Sequence, residues 1–263
     1  MASRYIFSET YADFEEQIGE IWELEAGYRL VDVEFIDDAF TGVFVDNKGA
    51  NAYEENTDFA TLQEQIQERW DEGFDLVDLD YADDQWIAVF DKNSLLTSGS
   101  AYNLSKDLIE FAENTQERWD KGFDLTNLEY AEGNWISVYG KDVGRSAYST
   151  SDSLMGFKSA VTQRRRQGFN LVGVEYAQDT WVSVFAEDSL YSTKYAIAQN
   201  TDEFLEKFEQ RSEQGYDLID FEQVDDIFLG IYEKSDVFAA DIVETQLELI
   251  GSQAVLNNII GTF

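Results

Sequence analysis

Hydrophobic residues recur in one pattern five times along the chain, first with a helical period and then with a strand period. Ahead of Gly73, four apolar residues fall at i, i+3, i+7 and i+11, which is one face of an α-helix: Phe59, Leu62, Ile66 and Trp70. After the glycine, apolar and polar residues alternate, so that Leu76, Asp78 and Asp80 are expected to share one strand face. A short turn and a second strand follow, which predicts a helix and then a β-hairpin.

The internal spacing of this pattern is constant. A G-[FY]-x-L motif occurs five times, with steps of 46, 49, 46 and 47 residues, at Gly27, Gly73, Gly122, Gly168 and Gly215. In every copy an aromatic residue opens the second strand 13 residues later, at Phe40, Trp86, Trp135, Trp181 and Phe228. A fixed internal distance with variable flanks indicates one supersecondary unit repeated five times.

A third short strand, centred on a tyrosine, follows each of the first four hairpins, so the predicted order is α-β-β-β. The units then span about 4–53, 54–102, 103–148, 149–195 and 196–235. The last unit lacks this strand, whereas a similar one around Tyr5 precedes the first helix. We therefore expect an α/β fold of α+β repeats, closed into a pseudo-five-fold ring in which the N-terminal strand completes the last unit. An open α/β solenoid is the alternative.

Residues 236–263 depart from the repeat. They are rich in apolar residues and read as an amphipathic C-terminal extension of one or two helical pieces. Such a segment either caps the ring or serves as a tail for docking, oligomerisation or export.

The repeat of about 47 residues, with its β, β, α, β elements over 4–232, resembles the plan of the pentein, or α/β-propeller, fold. Pentein enzymes that modify guanidino groups use Cys and His together with acidic residues. This chain contains neither Cys nor His, so the resemblance does not imply that activity. Non-catalytic pentein-like proteins imply instead that such a ring can serve for binding alone.

The W-x-x-G-[FY] motif at Trp70–Phe74, followed by the strand at Trp86, is similar to a second group of repeats. These have no known role and occur downstream of the kinase domain in some plant casein-kinase-like proteins, and in bacterial proteins. The similarity covers the second and third units. It fades where other residues replace the first tryptophan, namely Leu24, Arg165 and Ser212, and it implies no activity.

The composition restricts the function more than the motifs do. The 263 residues include 54 acidic and 18 basic ones, giving a net charge of −36. Such a chain repels nucleic acids and anionic membranes and attracts cations or basic proteins, although a salt-adapted protein carries the same surface. The absence of Cys and His excludes Ser-His-Asp and Cys-His catalysis and ordinary zinc sites.

The sequence favours no membrane span, since no run approaches the ~18 apolar residues that a span requires. The N-terminal residues do not resemble a secretory signal, so a cytoplasmic location is expected, with secretion without an N-terminal signal as the alternative.

Candidate binding residues follow from the repeat. An acid lies seven residues after the glycine in every copy, and in a ring these acids would form one circle: Glu34, Asp80, Glu129, Glu175 and Glu222. Such a circle could bind a divalent cation or a basic peptide. No metal is identified and no cofactor is expected, with calcium as the one possibility considered. Solvated hairpin ends are the alternative interpretation.

Two further sets share the second strand. Aromatic residues that could cradle a cation or stack on a sugar, or else form core, are Trp86, Trp135 and Trp181. Two positions later a small residue recurs, which permits the close backbone approach that crowding near the axis of a ring demands: Gly42, Ala88, Ser137, Ser183 and Gly230. Steric packing is favoured over access for a ligand as the reason for these residues.

The sequence thus favours a non-catalytic binding or scaffold protein that recognises a basic protein partner or a cation. A calcium-dependent extracellular structural protein is the alternative, followed by a glycosidase that uses a pair of carboxylates and needs neither His nor Cys.

Overall fold

The computed structural model describes residues 4–24, 27–36, 39–46, 50–92, 99–187 and 191–235. These residues form five copies of one unit, in which a strand is followed by a helix and two further strands. The helices are α1 (Tyr11–Leu24), α2 (Phe59–Asp71), α3 (Leu108–Asp120), α4 (Leu154–Arg166) and α5 (Thr201–Glu213).

The strands of the first three units are β1 (Arg4–Ser8), β2 (Tyr28–Ile36), β3 (Ala39–Asp46), β4 (Ala50–Asn56), β5 (Phe74–Ala82), β6 (Gln85–Lys92), β7 (Ser100–Ser105), β8 (Phe123–Ala131) and β9 (Asn134–Lys141). Those of the last two are β10 (Ser146–Ser151), β11 (Asn170–Ala177), β12 (Thr180–Ala186), β13 (Tyr191–Ala198), β14 (Asp217–Val224) and β15 (Ile227–Ser235). Each unit contributes one three-stranded antiparallel sheet whose last strand lies in the middle, as in the orders β1-β3-β2 and β13-β15-β14.

The expected position of the N-terminal strand is wrong. β1 pairs with β3 of its own unit, from Arg4 opposite Phe44 to Ser8 opposite Phe40, and β13 completes the fifth sheet. Each tyrosine strand therefore begins a unit, and the predicted limits at 53, 102, 148 and 195 fall inside or beside first strands. The repeat period is the same whether a unit is taken to begin at its helix or at its tyrosine strand. Each helix packs on the strand that precedes it and on the sheet that this strand joins.

Local signals set the ends of the helices. Four helices begin after a capping residue in extended conformation whose side chain accepts a backbone hydrogen bond, namely Asp58, Asp107, Ser153 and Asn200. Each motif glycine ends its helix with positive φ, as Gly73 does at 82°.

Each helix covers one face of its own sheet, and the next unit completes the core beneath it. The core of α2, for example, contains Leu62 and Ile66 together with Ile136 and Val138 of β9. The same exchange occurs under α1, α3 and α4. Under α5 the contribution comes from the first unit, through Val43 and Val31.

The strands that follow the motif glycines lie side by side in neighbouring units. β2 contacts β5, β5 contacts β8, β8 contacts β11, and β11 contacts β14. β14 in turn contacts β2 and β3. The acidic residues of the G-[FY]-x-L segments are therefore carried on neighbouring strands.

None of the helices in the described part of the chain has the length and apolar character that a membrane crossing requires. The extension at 236–263 lies outside the described residues, so its proposed capping or docking role stays a prediction.

Candidate functional site

A β-bulge occurs at the same place in every unit, in the strand that follows the motif glycine. In the second unit the pairing with β6 shifts between Leu76 and Asp78, and Val77 is left without a partner. The other four units shift between Leu30 and Asp32, Leu125 and Asn127, Leu171 and Gly173, and Leu218 and Asp220. A bulge inserts one residue into the alternation and so turns the following side chains to the other face.

The bulge corrects the expectation that Leu76, Asp78 and Asp80 share a face. Leu76 and Leu79 pair with Phe90 and Ala88 and belong to the core under α2. Asp78 and Asp80 pair with Val89 and Ile87, which point away from α2 and join the core of the first unit. The bulge therefore keeps the leucines under the helix and directs both acids to the opposite side of the sheet.

Because every unit has this bulge, the structure brings the acids together. We call the following eight carboxyl groups the acid cluster: Asp32, Glu34, Asp78, Asp80, Glu129, Glu175, Asp220 and Glu222. All five acids of the predicted circle belong to it. Four of those five are buried, and Glu34 keeps partial access to solvent. Solvated hairpin ends, the other sequence interpretation, do not describe the four buried acids.

A second set of positions, which supplies Asp32, Asp78 and Asp220 to the acid cluster, is not marked by the sequence pattern. It lies five residues after each motif glycine and holds Asp32, Asp78, Asn127, Gly173 and Asp220. An aspartate occupies only three of the five places, so no uniform residue type marked it. The sequence feature that could identify these positions is their two-residue spacing from the acids of the predicted circle, because residues two apart share one strand face.

Hydrogen bonds connect the acid cluster to neighbouring units. Asp78 accepts a bond from the backbone N–H of Val33 at 3.0 Å and another from the amide of Asn127 at 2.8 Å. Asp220 accepts from the N–H of Val174 at 2.8 Å, and Glu222 accepts from the N–H of Tyr176 at 3.1 Å. These acids therefore also hold consecutive units in register.

Burial raises the pKa of the carboxyl groups because it disfavours the charged form. It raises the pKa of Asp80 to about 6, of Asp220 to about 7 and of Glu175 to about 8. Backbone N–H donors oppose the shift at Asp80 and Asp220, and the carboxyl of Glu129 opposes it at Glu175.

The remaining members show the mutual repulsion of the cluster. The pKa of Glu129 lies well above its usual range, first through burial and then through Glu34, Glu175 and the aspartates of β5. Burial and neighbouring carboxylates likewise raise the pKa of Asp32, Glu34, Asp78 and Glu222. Such a cluster has a strong requirement for protons or cations.

Among the residues that the structure describes, two groups of carboxylate oxygens are close enough to ligate one ion. The first is formed by Asp32, Glu34 and Asp220, and the second by Asp32, Asp78 and Glu129. In each group the ligating oxygens lie within 4.8 Å of one another. Carboxylate oxygens are the ligands that calcium and other hard cations prefer.

The structure separates the aromatic candidates from these acids. Trp86 and Trp181 are buried against the helix residues Phe59 and Phe157, with ring centroids 4.5 and 5.6 Å apart. Trp135 is fully buried in the core that also contains Phe111 of α3. These tryptophans therefore lie on the helix side of their sheets and away from the acid cluster.

The small residues two positions after the aromatic residue also lie on the helix side. A Cβ atom on Gly42 would meet the ring of Phe14 at 3.0 Å and Leu30 at 3.2 Å. At Gly42 the crowding comes from the core under α1, in agreement with the interpretation that this small residue permits close packing.

Comparison with known proteins found no match: no family model matches the sequence, and no curated protein matches it.

Proposed function

We propose that the protein is a non-catalytic binding protein in which the five units form a closed pseudo-five-fold ring and the acid cluster at its centre binds a cation. The five-fold repeat supports this arrangement, as do the contacts between the strands that follow the motif glycines in neighbouring units. A basic protein partner, the other ligand that the sequence suggested, would find a surface rich in acids, but the buried carboxylates favour a small cation.

Contacts between the first and fifth units support ring closure. β14 contacts β2 and β3, and Val43 packs in the core under α5. The ring of Tyr5 meets that of Phe208 edge-on with centroids 4.8 Å apart, as Trp22 and Tyr53 meet between the first two units at 5.9 Å. The boundary between the chain's first and last units thus resembles the boundaries between consecutive units.

The observation that carries the cation proposal is the burial of mutually repelling carboxylates. Asp32 and Asp78 are 2% and 0% exposed, and the leading charges that act on Asp32 are other carboxylates. Burying unpaired charge is costly, so such groups take up protons or pair with cations. At neutral pH a divalent ion provides the compensation that water provides at a surface.

The same geometry makes the glycosidase alternative less favourable. That reaction requires two carboxyl groups with separate roles in a cleft that accepts a sugar ring. Here Asp80, Glu129 and Glu175 are buried among equivalent neighbours, and the tryptophans that could stack on a sugar lie on the other face of each sheet.

Isothermal titration calorimetry of the full chain, freed of metal by a chelator, tests the proposal. We expect Ca²⁺ to bind and to raise the melting temperature, because a ligand that binds only the folded state stabilises it by about 2.7 kcal/mol at 100 times Kd. Mg²⁺ and poly-lysine serve as comparison ligands.

The cation proposal is overturned if about 10 mM Ca²⁺ produces no heat of binding and leaves the melting temperature unchanged. This concentration is well above the ~10⁻⁴–10⁻³ M range of weak calcium sites. Binding of poly-lysine alone would then favour recognition of a basic protein.

A further inference from the structure

We infer that a calcium ion bound by Asp32, Glu34 and Asp220 joins the first unit to the fifth and fastens the two ends of the five-unit array. The inference rests on the proposed cation binding and assigns it to one place. Asp32 and Glu34 lie on β2, whereas Asp220 lies on β14, so this group spans the boundary that no chain connection crosses.

At two boundaries between consecutive units, an aspartate five residues after the motif glycine accepts a backbone N–H from the preceding unit. Asp78 accepts from Val33, and Asp220 accepts from Val174. Both donors occupy the same position, six residues after their own motif glycine. These bonds satisfy one oxygen of each buried carboxylate.

Asp32 has the same position in the first unit, but its environment differs. The residue is 2% exposed, and its Oδ2 atom has no hydrogen-bond donor among the described residues. The unit that precedes it in space is the fifth, which contributes the carboxylate of Asp220 within 4.8 Å. An acceptor that is buried without a donor requires a different partner, and a cation satisfies both carboxylates at once.

The size of the group suits calcium. Calcium binds oxygens at about 2.3–2.6 Å, so ligands on opposite sides of the ion are separated by roughly 5 Å. Oxygens within 4.8 Å of one another can therefore ligate it with small side-chain movements. Magnesium binds oxygens at about 2.0–2.1 Å and demands a regular octahedron, whereas calcium accepts irregular arrangements of carboxylates.

The second group of acids is less suited to the ion. Asp78, one of its members, already accepts hydrogen bonds from Val33 and from Asn127, one on each oxygen. A cation there would compete with two existing donors. Asp32 is common to both groups, and no donor among the described residues competes with a cation for its Oδ2 atom.

Calcium titration of full-length variants tests the assignment. Asp220→Asn and Glu34→Gln remove one charged ligand each, and we expect Kd for Ca²⁺ to rise at least about tenfold, since ligand charge sets the affinity of calcium sites. Asp80→Asn is the matched control, because it removes a buried carboxylate of the same cluster that belongs to neither group. Its effect on Kd should be smaller. All three variants lose a repelling charge, so we expect them to fold in chelator.

Hydrogen exchange read by mass spectrometry locates the bound ion. We expect Ca²⁺ to slow exchange in β2 and β14 of the unmodified protein more than in β5 and β8. If Ca²⁺ binds but Asp78→Asn and Glu129→Gln weaken it while Asp220→Asn does not, the assignment to the boundary is overturned and the proposed function stands. If Ca²⁺ does not bind at all, the proposed function itself fails.

Discussion

The indole N–H of Trp70, in the last turn of α2, donates a 2.9 Å hydrogen bond to Oγ of Ser100 in the first strand of the next unit. The same oxygen accepts the backbone N–H of Leu76 at 2.7 Å. Trp119 and Ser146 repeat the arrangement at 2.8 Å one unit later. The tryptophan of the W-x-x-G-[FY] motif therefore connects consecutive units in addition to packing.

Replacing Trp70 by Phe keeps an aromatic ring but removes the N–H donor. We expect the free energy of unfolding to fall by about 1 kcal/mol, the usual net contribution of a hydrogen bond, with some further loss of packing. Urea denaturation of the variant measures this change.

A double-mutant cycle with Ser100→Ala separates the two effects. The coupling between Trp70 and Ser100 should be about 0.5–1.5 kcal/mol, whereas independent effects would contradict a direct bond. Trp86→Phe is the contrasting variant, because Trp86 lies in the core under α2 rather than at the boundary.

Two glycines of the first unit should respond to substitution in opposite directions. At Gly42 a larger side chain would press on Phe14, Ile6 and Leu30, and we expect Gly42→Val to destabilise the protein by about 1–3 kcal/mol. Gly19 lies inside α1 with open space around its missing Cβ, so Gly19→Ala should stabilise by roughly 1 kcal/mol. Thermal melts of both variants in the same buffer suffice, and equal effects would refute the assignment of Gly42 to the packed core.

The stability of the protein in chelator should fall as the pH rises. The pKa of Asp80, Asp220 and Glu175 is raised to about 6, 7 and 8, so the folded state holds protons that the unfolded chain has released. Stability from these groups is complete below their unfolded pKa values, near ~4, and is lost as the pH rises through their folded values.

Urea midpoints measured from pH 5 to about pH 8, the folded value for Glu175, test this dependence. Asp220→Asn should show a shallower decrease, because it removes one of the groups that titrate. Saturating Ca²⁺ should oppose the decrease by binding the ionised carboxylates. A midpoint that rises steadily with pH in chelator would contradict the raised pKa values.

The position of Gly173, five residues after its motif glycine, can accept a larger side chain. A Cβ there would lie 3.4 Å from Oδ2 of Asp220, which is ordinary contact, and the backbone requires no glycine. We expect Gly173→Asp to lower stability in chelator more than Gly173→Asn, since only the aspartate adds charge to the acid cluster.

The asparagine variant is the matched control, because Asn127 holds the equivalent place in the third unit. Added Ca²⁺ should reduce the difference between the two variants. Identical melting temperatures in chelator would show that this position does not face the acids.

The repeated unit, its helix and its hairpin could be predicted from spacing, because the glycine and the aromatic residue keep a fixed distance, whereas the circle of acids drawn from the same spacing stays a prediction. The sequence pattern places the strand around Tyr5 in the wrong sheet, since a repeat fixes the period but not where a unit begins. The helix that follows a short strand packs on the sheet that the strand joins, and that contact is tertiary.

The face occupied by Asp78 and Asp80 could not be predicted either. Simple alternation places both beside Leu76, and the bulge at Val77 reverses this. The residue that bulges is an ordinary apolar one in this unit and Thr126 in the next, so its identity gives no warning. The bulge becomes visible only when the pairing of both strands is known.

The sharing of each core between two units has a consequence for how the molecule unfolds. A linear repeat array frays from its ends, since a terminal unit has only one neighbour to lose. Here the core under α5 includes Val43 and Val31 of the first unit, so the first unit cannot leave without opening the core of the last. If the proposed ring is closed, we expect the five units to unfold in one transition, so that weakening any boundary lowers the stability of the whole molecule.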